Sequence, residues 1–378
     1  MKCKLKRQSL LKNLSLVESI SSSRSTIPVL SNILIKANGE NVTFTSSNLE
    51  TSMLVKDEGN IEEEGAIAVN GRKLLSIVRE LPEDDIFLAT DENFRLEIKS
   101  TSEKIKAKFI ISGLPETDYP DIKLDPDGEF VPINAEEFKK SIKKVIFAIS
   151  TDENKYSLTG VFIEKYQGKL HMVGTDGKRL SLIVKSFEGF NTSEELFLIP
   201  QEGIIVPRLV LQEILKIPSE HETIDVSFSQ NQIFFSFGNI RLVSTLLEGR
   251  FPDYKKIIPP ERERYFIADK ETLFNGIKRV SLLVDESYNQ VKFSLTSGRL
   301  VISSRNPALG GAVEEIPVEY SGEDIDIAFN YIFLLDSLKA IDSERVIVEF
   351  EDSEKVVTLR GEGEKDYINL IMPMKINI

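Results

Sequence analysis

The sequence predicts an α+β chain of three repeated domains, each with two helices packed on antiparallel sheets, and three observations lead there. Apolar residues at i, i+4 and i+7 mark a helix at Leu10, Leu14 and Val17, again at Phe138, Ile142 and Val145, and again at Leu273, Ile277 and Val280. A second helical pattern follows each of these after 61 to 73 residues. Around the helices the apolar period falls to two, in runs rich in Val, Ile, Phe and Thr broken by Gly, Asn, Asp and Ser, which read as antiparallel strands.

The elements follow in order. In the first unit a helix over 8–23 precedes the strands of SNILIKANGENVTFTSSNLETSMLV, and a second helix over 70–81 carries Leu74, Ile77 and Val78. The second unit has helices over 134–150 and 207–217, the latter with Leu211, Ile214 and Leu215, and the strands of LTGVFIEKYQGKLHMVGTDGKRLSLIV and TIDVSFSQNQIFFSFGNIRLVSTLL. The third has helices over 269–284 and 329–341, the latter with Leu334, Leu338 and Ile341, and the strands of VKFSLTSGRLVISSRNPALGGAVEEIPV. Each unit turns a polar corner at the same place, Ser47-Asn48, Thr175-Asp176 and Arg305-Asn306. Pro-rich stretches without periodicity, DYPDIKLDPDGEFVP and FPDYKKIIPPERERY, divide the chain into domains 1–126, 127–259 and 260–378.

Composition narrows the function. At 41% apolar residues the chain has ample core material, and no apolar run approaches the ~20 residues of a membrane span. The basic opening MKCKLKRQSLLKN has no apolar stretch behind it, so the expectation is an unexported, cytoplasmic protein that avoids membranes. One cysteine, Cys3, and two distant histidines, His171 and His221, offer no metal site, and no cofactor is expected. There is no phosphate-binding glycine loop or nucleophile elbow, and Asp84-Asp85 and Glu62 to Glu64 lie in polar loops, so catalysis is not expected.

The net charge of −13 argues against nucleic acid until the charges are located. The six helical windows hold 14 Lys and Arg against 8 Asp and Glu, net +6, which leaves −19 on the rest. In the helix 134–150, Phe138, Ile142, Val145, Ile146 and Ile149 occupy an arc of about 100°, with Lys139, Lys140, Lys143 and Lys144 on an arc of about 140° facing away. Such a surface attracts phosphate without reading bases. Helices packed ~9 Å apart, with radii of ~5 Å, leave a hole of about 7 Å when six close a ring, and roughly 24 Å when twelve from two chains do so. A charged outer face is also what an ordinary surface helix presents, but if a duplex is bound only the second ring admits it, and a head-to-tail dimer with helices lining the pore would fit.

Over its full length the chain resembles the bacterial sliding clamp family, the beta subunit of DNA polymerase III. The segments that carry the resemblance are RSTIPVLSNILI (24–35), SLTGVFIE (157–164), GTDGKRLSL (174–182), LLEGRFPDYKKIIP (246–259) and IMPMKI (371–376), together with the threefold repeat. The resemblance implies the DNA clamp fold and a homodimeric ring that encircles duplex DNA without sequence specificity, tethers the replicative polymerase and is opened by an ATP-driven loader.

The resemblance places DNA contacts at Arg24, at Arg72 and Lys73, at Tyr156 and at Arg208, beside the four lysines of the helix 134–150. It makes TDGKRL one wall of a groove that docks short linear peptides of the Gln-Leu-x-Leu-Phe type from the polymerase alpha subunit, the clamp loader, and other polymerases and repair proteins. The groove residues are Leu158, Thr175, Gly177, Arg179, Leu180, Pro252, Ile257, Leu370, Met372, Pro373 and Met374. Phe109 and Ile111 would meet Leu282 and Leu283 across the dimer interface. Ser25, Lys178, Leu209 and Lys375 stand where the family commonly has other residues. The competing reading is a triplicated protein-docking scaffold that does not encircle DNA; it would keep the groove but need no basic helices.

Overall fold

The computed structural model of the chain describes residues 1–21, 27–194, 197, 199–218, 222–229 and 231–376. Its helices are α1 (Arg7–Glu18), α2 (Gly71–Glu80), α3 (Ala135–Val145), α4 (Arg208–Lys216), α5 (Lys270–Val280) and α6 (Tyr331–Ala340). Short 3-10 turns, Ile146–Ala148 and Ser281–Leu283, extend α3 and α5. Side-chain caps start α2, α5 and α6: Asn70 accepts from the Lys73 amide, Asp269 from Thr272 and Asn330 from Ile332. The i, i+4, i+7 residues are fully buried in each first helix, as the packing of one helical stripe on a sheet requires. α1 stops at Glu18, short of the expected residue 23, because the hydroxyls of Ser19 and Ser21 donate to the carbonyls of Leu16 and Glu18 in place of further helix.

The three polar corners are one device. Asn48 Oδ1 accepts from the amides of Glu50 and Thr51, Asp176 Oδ1 from Lys178 and Arg179, and Asn306 Oδ1 from Ala308 and Leu309. In the second corner Gly177 has φ +88°, which a side chain would strain.

The chain divides into two compact units. One comprises 1–136, 191–198 and 209–246 and holds a 13-stranded antiparallel sheet, in which Ile240–Thr245 of the second repeat pairs with Thr51–Glu58 of the first. The other comprises 137–190, 199–208 and 247–378 and holds an 8-stranded and a 4-stranded sheet. In the 8-stranded sheet Arg179–Ser186 of the second repeat pairs with Tyr367–Ile371 of the third. The second repeat is thus shared between the units, because each of its halves completes a sheet begun by a neighbouring repeat. Among the described residues no helix is long and apolar enough to cross a membrane.

Candidate functional site

Within the second unit, strand pairing assembles an apolar site from segments nearly two hundred residues apart. Leu180 stands opposite Leu370, and the Met372 amide donates to the Lys178 carbonyl at 2.9 Å, so IMPMKI is laid beside the TDGKRL corner. Leu180 and Leu370 join Phe162, Phe251 and Tyr254 in one buried cluster, with Leu158 packed on its margin. Phe162 and Phe251 stack at 4.7 Å with ring planes 7° apart. Met372, one residue beyond the strand that carries Leu370, is 44% exposed, and Ile257, next to Ile258 that packs on the cluster, is 46% exposed, two large apolar side chains open to solvent. Pro252 and Gly177 are exposed beside them, and Pro373 and Met374 are half-buried. The Met374 amide donates to the Ala328 carbonyl at 2.8 Å.

The groove residues of the sequence reading therefore divide into two groups. Leu180 and Leu370, 4% and 1% exposed, are floor; the strand that carries Leu180 is paired on both sides and turns that side chain inward. Thr175 is also buried, and its hydroxyl ties the corner by donating to the Arg179 carbonyl and accepting from the Gly177 amide. Arg179 is committed elsewhere. Its guanidinium pairs with Asp176 and, at 2.8 Å, with Asp336 of α6, donates to the Phe147 carbonyl, and lies over the Phe333 ring. Sequence reasoning missed Phe162, Phe251 and Tyr254 as floor, although all three lie in quoted segments; the consecutive apolar run Val161–Ile163 gives no alternation that would single out Phe162.

The cationic stripe of α3 needs correction. Only Lys140 and Lys143 are exposed, whereas Lys139 is 7% and Lys144 6% exposed. An arc on a helical wheel fixes where a lysine stem begins, and the stem then seeks its own partners. Lys144 reaches Asp342 at 3.0 Å and Glu364 at 3.1 Å, with its ammonium 4.2 Å from the Tyr367 ring. Burial opposes charge on Asp342, yet Lys144 and then Lys140 hold its carboxyl below the ordinary value. Burial, then Lys143, lowers the Lys139 ammonium. Lys144→Glu is accordingly expected to cost about 3 kcal/mol in chemical denaturation, since it sets a carboxylate against two others. The same change at Lys143 should cost less than ~0.5 kcal/mol.

The other predicted cations differ in availability. Arg72, 71% exposed at the start of α2, touches only Glu18 among described carboxylates, at 3.4 Å, and Lys73 beside it is exposed. Tyr156 is 51% exposed. Arg208 is half-buried and donates to the Ile149 carbonyl at 3.0 Å; burial, then Arg179, pulls its pKa down. Arg24 lies outside the described residues.

Apolar side chains are also exposed on one sheet edge in each unit. On the strand Lys108–Leu114, Phe109 and Ile110 are exposed and Ile111 half-buried; its partner on one side is Arg95–Ser100, and on the other it pairs only through Gly113 and Leu114. Leu282 is 78% exposed and Leu283 half-buried, near the strand Gly310–Pro317 that forms the edge of the 4-stranded sheet. The exposed Val313 on that edge and Ile110 on the other were not singled out from sequence, because an edge is defined by the missing neighbour and not by composition.

Three family models match successive parts of the chain: the N-terminal domain of the DNA polymerase III beta subunit at 1–123, its central domain at 132–253 and its C-terminal domain at 255–375. The beta sliding clamp of Caulobacter vibrioides is 31% identical, with all of both chains covered, and that of Treponema pallidum 30% identical, covering 99% of this chain and all of the relative. Among solved structures, the sliding clamp of Bartonella birtlesii bound to griselimycin superposes over the whole of both chains with a TM-score of 0.91 at 28% identity.

Proposed function

The chain belongs to the DNA polymerase III beta subunit family, the bacterial sliding clamps, which are non-catalytic processivity factors of DNA replication, and from that premise we propose how its residues divide the work between DNA, partner proteins and a second copy of the chain. The clamp domains run over 1–126, 127–259 and 260–378, and two chains close head to tail in a ring with the helices inward. Arg72, Lys73, Lys140, Lys143 and Tyr156 face the duplex, with Arg24 and Arg208 as further contacts; Lys139 and Lys144 build the helix that carries the stripe. The contacts are with phosphate, so the clamp slides without reading sequence.

Partners dock in the second unit: the polymerase alpha subunit, the clamp loader, and other polymerases and repair proteins insert short apolar peptides over the Leu180–Leu370 floor, between Met372 and the Pro252–Ile257 turn. The exposure of Met372 and Ile257 above a fully buried floor carries this reading. Met suits it, being flexible enough to repack against different side chains. The chromosome places this work in the cytoplasm.

A ring and a docking scaffold part company on closed DNA. The loaded protein is expected to stay on nicked circular plasmid at salt that strips ordinary binders and to be lost when the plasmid is linearised; equal loss from both forms overturns the ring. Lys140→Glu with Lys143→Glu should lower retention about tenfold, each lost phosphate contact removing ~0.9 from the salt slope of binding. The thermal midpoint of the same variant should stay within about 2 °C of the parent, both side chains being exposed. Unchanged loading would leave these lysines an ordinary solvated face.

A further inference from the structure

A buried polar chain runs out from the apolar floor, through side-chain groups that the groove reading leaves without a role. The strands Gly160–Tyr166 and Lys169–Thr175 set Glu164 opposite His171. Glu164 is 6% exposed, an expensive place for a carboxylate unless each oxygen is satisfied. Tyr254 satisfies one of them. Its ring is part of the apolar floor, but its hydroxyl passes out of the cluster, donates to Glu164 Oε1 at 2.6 Å and lies 2.7 Å from His171 Nδ1. The phenol proton is spent on the carboxylate, so Nδ1 of His171 carries a proton and donates it to the phenol oxygen. Lys255 completes the set, with Nζ 2.7 Å from Glu164 Oε1, 2.9 Å from Oε2 and 4.3 Å from the centre of the Tyr166 ring.

The location gives this chain of bonds its role. Tyr254 is the hub of the turn that forms one side of the groove: its amide donates to the Pro252 carbonyl, and its carbonyl accepts from the Ile257 amide. Apolar packing of Phe251 and Tyr254 would keep this turn against the sheet but is non-directional, leaving the height and tilt of Pro252 and Ile257 free to drift. A directional bond to a buried carboxylate removes that freedom. We infer that Glu164 and His171 are positioning residues for partner docking, acting through the Tyr254 hydroxyl to hold the Pro252–Ile257 wall at the width a peptide needs. The inference rests on the groove reading above. Burial, and then Glu164, keeps the phenol protonated far into alkali, so the donor persists at every physiological pH.

The test is calorimetric titration of full-length protein with a Gln-Leu-x-Leu-Phe peptide. Tyr254→Phe keeps the ring and removes the hydroxyl; Glu164→Leu keeps bulk and removes the acceptor. Each should bind about tenfold more weakly, as expected for a side chain that pre-organises a site without touching the ligand. Glu164→Gln, whose amide oxygen still accepts the phenol proton, should stay within about threefold of the parent. Since both losses pass through one bond, the double variant Tyr254→Phe, Glu164→Leu should bind no more weakly than the worse single one. Additive losses, or a Glu164→Gln variant as weak as Glu164→Leu, would reduce the chain of bonds to a general stabiliser and overturn the inference. Unchanged affinity in Tyr254→Phe overturns it as well. A control lacking residues 372–378 keeps the two readings apart: if it binds the peptide as the parent does, the groove assignment itself fails.

Discussion

Leu282→Asp is expected to leave a folded monomer of 42.7 kDa where the parent chain sediments at twice that mass. At 78% exposed, Leu282 contributes little to its own fold, so the substitution should barely move the thermal midpoint. Leu283 is less suitable for this purpose, being half-buried within its own chain. In the assembled ring Leu282 would sit where the edge strand Gly310–Pro317 of one copy meets Lys108–Leu114 of the next. A carboxylate without a partner in that apolar contact costs several kcal/mol, enough to raise the dissociation constant by a hundredfold or more. Monomers cannot enclose DNA, so retention on circular plasmid should disappear with the dimer. Sedimentation equilibrium at micromolar concentration measures both chains; a monomeric parent would count against the ring, and a dimeric variant would move the interface elsewhere.

Much of the fold could be read in the sequence because its strongest constraints are local. A helix lying on a sheet must repeat its apolar residues at 3.6, and the six helices appear within a few residues of the positions this spacing sets, apart from the early stop of α1. The polar corners were legible for the same reason, since an Asn or Asp that caps its own turn bonds within three residues. Partnership between distant edges was not. Nothing in Ile240–Thr245 announces that it pairs with Thr51–Glu58, so the sharing of the second repeat between two compact units emerged only in three dimensions.

The site shows the same division. Periodicity established that α3 has an apolar face, and all three of Phe138, Ile142 and Val145 are buried. It could not show that Lys144 would leave the opposite face for Asp342, Glu364 and the Tyr367 ring, because those partners lie some two hundred residues away. The proposed groove was legible only through resemblance, which supplied its candidate residues as a set without separating floor from rim. That separation comes from strand pairing: Leu180 and Leu370 face each other within a continuous sheet, while Met372 follows the strand's last residue and escapes the sheet's cover.

The rim is therefore where removal should have the largest effect on docking. Deleting residues 372–378 leaves the strand Tyr367–Ile371 whole, including the fully buried Ile371 that an earlier cut would remove. What goes is the exposed Met372, with Pro373 and Met374, and the bonds that carry them: Met372 to Lys178, Met374 to Ala328, and the Lys375 carbonyl to Gln290. Losing two Met side chains from one side of a small apolar interface should cost at least about 3 kcal/mol, a hundredfold or more in peptide affinity. Leu180→Ala would be a poorer probe, because a buried floor residue loses about 2–5 kcal/mol of fold stability on truncation and mixes that loss with any loss of binding. Dimer mass and retention on nicked circles should be unchanged in the truncated chain, since the exposed lysines of α3 and both apolar edges are intact. Parental peptide affinity there, by calorimetry, would place the docking site somewhere other than the Leu180–Leu370 floor.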